Sequence, residues 1–143
     1  MDKELETQLT IFLVEADDET RKVLKSNLQR HGYHVIIALD EQDALERVNG
    51  GRLHADLVLV DTVGVTPEDA LNLGRRIRTH GKYNGDTPLV VMAEKFGTDV
   101  EGTDVNVAGN DWITYLEDPG QLKNLLARLL DKLLIPATTP RGA

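Results

Sequence analysis

Two short apolar runs stand out along the chain, Leu57–Val60 and Leu89–Met92, each flanked by turn or loop residues. Runs of this kind predict parallel strands covered on both faces. Ile11–Val14 predicts a strand that opens the domain, His34–Leu39 another, and Trp112–Tyr115 is a short, β-prone fifth. Helical spacing fills the intervals. Between Asp18 and His31 the apolar positions are Val23, Leu24 and Leu28, with Gly32 as the stop. Asp40 is placed to cap a short helix with Ala44, Leu45 and Val48 on its apolar side, ended by Gly50 and Gly51. Thr66-Pro67-Glu68-Asp69 reads as a cap, a proline at the first helical position and acids in the first turn. Ala70, Leu73, Gly74 and Ile77 follow at helical spacing. Asp118-Pro119 opens the last helix, with Gln121 set for a capping box and a stripe running Leu122, Leu125, Leu126, Leu129, Leu130 and Leu133.

Strands alternating with helices imply an α/β fold, a parallel sheet with helices on both faces. The segment Glu94–Gly109 breaks the pattern. It holds Gly97, Gly102 and Gly109 and many β-branched residues, which disfavour a helix. It also repeats itself, Gly97-Thr98-Asp99-Val100-Glu101 being followed by Gly102-Thr103-Asp104-Val105-Asn106. Two copies are too few for a solenoid, and the spacing is not that of calcium-binding glycine–aspartate repeats. An irregular or short-helical connection is expected there. Residues 1–9 read as an N-terminal extension, 10–135 as the domain, and 136–143 as a flexible tail.

Composition narrows the class. The 143 residues suit one domain, and a 41% hydrophobic content is enough for a core. With 24 Asp and Glu against 16 Lys and Arg the net charge is −8, which argues against a nucleic-acid binder. Four cations, Arg75, Arg76, Arg78 and Lys82, cluster at one helix end, where they read as a solvated complement to the macrodipole. The absence of cysteine removes disulfides, thiolate catalysis and Cys-ligated zinc. No apolar run approaches the ~20 residues of a membrane span, and no signal-type segment opens the chain. A cytoplasmic domain with no nucleic-acid or membrane partner is expected.

In open α/β sheets, sites lie beyond the carboxyl ends of the strands. Those ends carry Glu15-Ala16-Asp17-Asp18, Asp61, Ala93-Glu94 and Tyr115. Converging carboxylates call for a cation, and all-oxygen ligands point to Mg²⁺ rather than zinc. A carboxylate beside Mg²⁺ can act as a nucleophile toward a phosphoryl group. Helix N-capping is the competing explanation for Asp17 and Asp18. Asp61 has less need of one, because Thr66 already caps the next helix.

Taken in order, these residues resemble the receiver domain of two-component response regulators, over roughly Thr10 to Leu134. Ile11-Phe12-Leu13-Val14-Glu15-Ala16-Asp17 is similar to the family's first strand and acidic pair, and Arg21 and Gly32-Tyr33 follow at the usual spacing. Ala55-Asp56-Leu57-Val58-Leu59-Val60-Asp61 resembles the strand that ends in the phospho-acceptor. Leu71 to Arg78, Asp86-Thr87-Pro88, Ala108-Gly109 and Asp118-Pro119 complete the set. The resemblance implies a flavodoxin-like, doubly wound, five-stranded parallel sheet in the order 2-1-3-4-5, with an irregular or shortened fourth helix. It implies that Asp61 accepts phosphate from a histidine kinase or phosphotransfer protein. Asp17, Asp61 and the backbone carbonyl of Val63 would ligate Mg²⁺, and Trp112 falls on the aromatic switch position. A downstream protein target is implied as well.

Departures fall at the site itself. The first aspartate of the acidic pair is Ala16, leaving Asp18 or Glu15 to compensate. The phosphate-gripping hydroxyl falls on Ala93 and the lysine on Tyr115, whose following proline is Leu116. Val65 replaces a proline in a loop one residue longer than usual, and the stretch before Trp112 is one residue short. A phosphoryl group adds about −1.5 to −2 charges, and each missing charge-assisted bond would have contributed about 1.5–3 kcal/mol. Weakened Mg²⁺ binding and weakened coupling of phosphate to shape follow. The expected function is a non-enzymatic receiver-like signalling module, phosphorylated on Asp61 and acting through partner contacts. The alternatives are a phosphorylation-independent docking or dimerisation module and, remotely, a small Mg²⁺-dependent phosphotransfer enzyme or phosphatase. Against the last stand Val63, where a second aspartate would be needed, and the lack of a Walker or dinucleotide loop. Leu126, Leu130, Leu133 and Leu134 broaden the last helix's stripe, either as core or as a homodimer or partner surface.

Overall fold

The computed structural model describes residues 8–61, 64–83, 86–93 and 96–134, with side chains as far as Leu130. Strands β1 (Thr10–Val14), β2 (His34–Ala38), β3 (Leu57–Asp61), β4 (Leu89–Met92), β5 (Asp104–Ala108) and β6 (Asp111–Thr114) alternate with four helices. These are α1 (Asp18–Arg30), α2 (Glu41–Val48), α3 (Pro67–His80) and α4 (Pro119–Leu134). The sheet order is β2-β1-β3-β4-β6-β5, parallel throughout except for the β5–β6 pair. The first five strands in that order reproduce the expected arrangement.

Alternation along each strand sorts the core into two layers. Phe12, Val14, Val58, Val60 and Val91 face α2 and α3, where Ala44, Val48, Ala70, Leu71 and Ile77 meet them. Ile11, Leu13, Leu57, Leu59, Val90 and Met92 face α1 and α4, closed by Leu28, Leu122, Leu125, Leu126 and Leu130. Every residue of β1, β4 and Leu57–Val60 is buried, which is why these runs are apolar except for Thr10 at the start of β1. Leu126 and Leu130 are core residues at 0% and 1% exposure, so they are not part of a dimer surface. The side chains of Leu133 and Leu134 lie outside the described residues.

Helix starts follow the sequence signals. Asp17, Asp40 and Thr66 accept hydrogen bonds from the amides of Thr20, Asp43 and Asp69. Asp118 Oδ1 accepts from the Gln121 amide, while Gln121 Oε1 accepts from the Glu117 amide, one residue earlier than a standard capping box. α3 packs so closely on β4 that a Cβ on Gly74 would collide with the Leu89 side chain. Arg78 does not sit in the solvent as the charge pattern suggested, and Arg75, though still partly exposed, is paired as well. Both pair with the buried Asp111 at the start of β6, at 2.8 and 2.6 Å, and Arg76 pairs with Glu41.

The connection 94–109 differs from expectation. Its second half is a sixth strand, β5, running antiparallel to β6 along the sheet edge. The tandem repeat therefore takes two conformations: the first copy is built of turns, and Asp104-Val105-Asn106 of the second is strand. Its β-branched residues are used in the ladder, and Gly102 and Gly109, at φ +84° and +49°, supply the left-handed turns on either side. Glycine content argued correctly against a helix, but the open edge of β6 turned a loop into a strand. Among the described residues no helix is long and apolar enough to cross a membrane.

Candidate functional site

β1 and β3 run side by side in parallel, with Leu13 opposite Leu59. Two residues on, the same parity brings Glu15 and Asp61 together at the carboxyl ends. Glu15 is fully buried. Its amide donates to the Ala38 carbonyl at 3.1 Å, and its own carbonyl accepts from Arg21 Nη1 at 2.9 Å. Its Oε2 accepts from the Asp17 amide at 3.2 Å, whereas Oε1 is buried without a donor. Burial pushes the Glu15 carboxyl up to about 8; the hydrogen bond and negative charge of Asp61 act in the same direction. Glu15 thus retains its proton well above the ordinary carboxylate range.

Asp17 and Asp18 go elsewhere. The exposed Asp17 carboxylate accepts from the Thr20 amide at 2.8 Å and its hydroxyl at 2.7 Å, and these bonds hold it below the usual range. Asp18 forms an ion pair with Arg21 on the helix surface. Helix capping is therefore the role the geometry gives Asp17. Val63 lies outside the described residues, as does Glu94. Among the described residues no group of three His, Cys, Asp or Glu side chains is arranged around a common point. Asp61 and the exposed Ala16 line a cleft of about 200 Å³ bordered by Asp40, Glu41, Val65 and Asp69.

Mg²⁺ is commonly held by only one or two carboxylates, with water completing its shell. Glu15 and Asp61 fit such an ion: two abutting carboxyls and a buried oxygen without a donor are what a cation satisfies. Asp17 and Asp18, committed to Thr20 and Arg21, do not fit without rearrangement.

The remaining strand ends are apolar. Ala93 is buried, its amide bonded to the Thr114 carbonyl at 3.0 Å. Tyr115 is half-buried and meets Phe96 edge to face, the ring centres 5.3 Å apart. Both pack into the core layer beneath α2 and α3. Trp112 is half-buried on the opposite face, with the Arg128 guanidinium 5.9 Å from its ring centre and its Nε1 buried without a partner.

Glu15, one of the two acids left to compensate for Ala16, is the one that strand parity brings beside Asp61. Strand parity carried the signal, since Ile11, Leu13 and Glu15 alternate in step with Leu57, Leu59 and Asp61. Thr20, three residues after Asp17, marked the cap.

No family model matches the chain. It is 29% identical over 130 residues to the response regulator MprA of Mycolicibacterium vanbaalenii, covering 91% of this chain and 52% of that protein. It is likewise 29% identical over 135 residues to MprA of Mycobacterium leprae, covering 94% and 54%. The chain spans about half the length of these curated relatives. A response regulator from Thermotoga maritima superposes with TM-score 0.61 at 28% identity, over 90% of this chain and 99% of that one. The T. maritima response regulator TrrA in complex with Mg²⁺-BeF superposes with TM-score 0.62 at 22% identity, over 86% and 100%. The same protein bound to the histidine kinase ThkA gives TM-score 0.63 at 20% identity, over 86% and 99%. At those last two identities the likeness is one of fold.

Proposed function

We propose that this chain, a receiver domain of the response-regulator type, is a signalling module switched by phosphorylation of Asp61. The observation that carries the reading is the Glu15–Asp61 carboxyl pair at the ends of adjacent parallel strands. In the step envisaged, an Asp61 carboxylate oxygen attacks the phosphorus of a phosphohistidine on a partner kinase or phosphotransfer protein. The P–O bond forms as the P–N bond breaks, and the electron pair leaves with the imidazole nitrogen. Glu15 and Asp61 would hold Mg²⁺, which when bound supplies positive charge against the incoming phosphoryl oxygens. Glu15, fully buried, would present its carboxyl to Asp61.

Relatives and solved neighbours are response regulators, one carrying Mg²⁺-BeF and one bound to a kinase. They favour this reading over a phosphorylation-independent docking module. Surface shape supports a kinase partner too. A groove of about 580 Å³ runs between α1 and the start of α4, with Val23, Leu24, Leu116 and Pro119 in its walls. Val23 is 59% exposed there. A downstream protein target, rather than turnover of a substrate, is the output this reading assigns.

The test is a titration with beryllofluoride and Mg²⁺, followed by ¹⁹F NMR of the bound anion. Saturable binding that requires Mg²⁺ and disappears in Asp61→Asn is the expected result. No bound signal in the native protein overturns the proposal. Turnover of a generic phosphomonoester would instead revive the enzymatic alternative.

A further inference from the structure

The edge strand is held by a polar cluster that the site does not use. Asp104 opens β5 opposite Thr114 of β6, and the fully buried Thr114 hydroxyl donates to Asp104 Oδ1 at 2.7 Å. From α4, Gln121 Nε2 donates to the same oxygen at 2.8 Å and also reaches the Thr103 carbonyl at 3.2 Å and the Thr114 hydroxyl at 3.2 Å. Arg128 Nη2 pairs with Asp104 Oδ2 at 3.1 Å while its guanidinium covers Trp112. One carboxylate thus ties β5, β6 and α4 together and keeps an arginine over the indole.

Sheet register puts this cluster in line with the site. Asp61 is opposite Met92, Met92 opposite Thr114, and Thr114 opposite Asp104, one transverse row crossing four strands. Ala93 has no hydroxyl with which to connect the site to its surroundings, so this row is the direct physical route from Asp61 to the sheet edge. The Ala93 amide bond to the Thr114 carbonyl keeps the ends of β4 and β6 in step. A displacement of a few tenths of an ångström there is enough to lengthen a 2.7 Å hydrogen bond beyond its favourable range.

We propose that Asp104, Gln121 and Arg128 form a latch that holds β5 closed over the seam between β6 and α4, and that occupation of Asp61 loosens it. The strand is built to move as a strap. Gly102 and Gly109 bracket it with left-handed turns, a bulge between Asn106 and Ala108 interrupts its ladder, and Val105 and Val107 are exposed rather than packed. The Asn106 side chain bonds the Gly109 and Asp111 carbonyls and anchors the turn end, which leaves Asp104 as the end that opens. The closed state also has a defect, since Trp112 Nε1 is buried without an acceptor. That cost sets the closed state against the latch and makes the equilibrium responsive. Opening bares the edge of β6 and the Trp112 ring, the surface a downstream protein would read.

Coupling to Asp61 rests on the phosphorylation reading, but the latch does not, and two arms of one experiment separate them. Trp112 is the single tryptophan, so its emission reports on one place. In the first arm, without any anion, Gln121→Ala should accelerate amide exchange across 103–108 at least tenfold and raise acrylamide quenching of Trp112, with β1 and β3 exchange unchanged. Asp104→Asn, which keeps Oδ1 as an acceptor and loses the Arg128 pair, should give a smaller change. Unchanged exchange in β5 in both variants overturns the latch, and equal acceleration throughout the sheet does so as well. In the second arm, native protein with bound beryllofluoride, verified by ¹⁹F NMR, should show the Gln121→Ala pattern. Bound anion with unaltered Trp112 and β5 overturns the coupling alone. No bound anion overturns the phosphorylation reading and the coupling with it, and leaves the latch to the first arm.

Discussion

Glu15 concentrates the chemistry of this domain into one side chain. A carboxyl whose pKa is raised on folding contributes most stability when protonated in both states, below the ordinary carboxylate range. That contribution is lost as pH rises through the folded value of about 8. Stability should therefore decline between about pH 5 and 8, the opposite of the trend from a salt-bridged acid. Glu15→Gln keeps the shape and removes the charge. It should flatten that slope and raise stability at pH 8 by about 1–3 kcal/mol, the scale of a buried polar group left uncompensated. Urea unfolding of both proteins across this range checks the sign. Gly74 supplies a second test at this scale. Alanine would gain about 1 kcal/mol in helix propensity, yet its Cβ meets the Leu89 side chain. Overpacking should win, with a net loss of about 1–2 kcal/mol in the same assay.

Among the elements, α3 and β6 show how charges that look dispersed in the sequence become a joint. Arg75 and Arg78, one turn apart, both reach Asp111, and Arg78 also donates to the Thr87 carbonyl at 3.1 Å. Asp111→Ala would leave Arg78, itself only 15% exposed, facing an apolar gap. A loss of about 3 kcal/mol is expected, since removing one partner strands the other charge. The measurement is the denaturant midpoint, with Arg76→Ala, on an exposed pair, as a control that should move it by less than about 1 kcal/mol. The helices were legible from two agreeing signals, an apolar period and a cap, and the other strands from apolar runs flanked by turn residues. β5 carried only weak ones. Its alternation, Asp104-Val105-Asn106-Val107, is short and its valines are exposed, so it did not stand out from a loop. Its strand character depends on β6, which lies later in the chain and a hairpin turn away.

For the molecule as a whole, burial grades from the middle of the sheet to its edges. β1, β3 and β4 are covered by helices on both faces, while β5 is exposed along most of its length. Native-state amide exchange should follow that order, slowest in β1 and β3 and fastest in β5. A β5 as protected as β1 would contradict the packing described.

Sequence alone determined the alternation of strands and helices, the caps at Asp40 and Thr66 and the acidic end at which chemistry would lie, while the resemblance to receiver domains supplied the strand order. Periodicity and capping act within a few residues, so they survive being read along a line. Tertiary structure decided which acid stands beside Asp61, that Arg75 and Arg78 converge on Asp111, and that one half of a repeat becomes a strand. Each of those depends on register between segments far apart in the chain. Asp17 and Glu15 are equally acidic in the sequence. One caps a helix and the other is buried against a second carboxyl, because Glu15 continues the parity of Ile11 and Leu13 just past β1 whereas Asp17 already stands at the N-cap of α1.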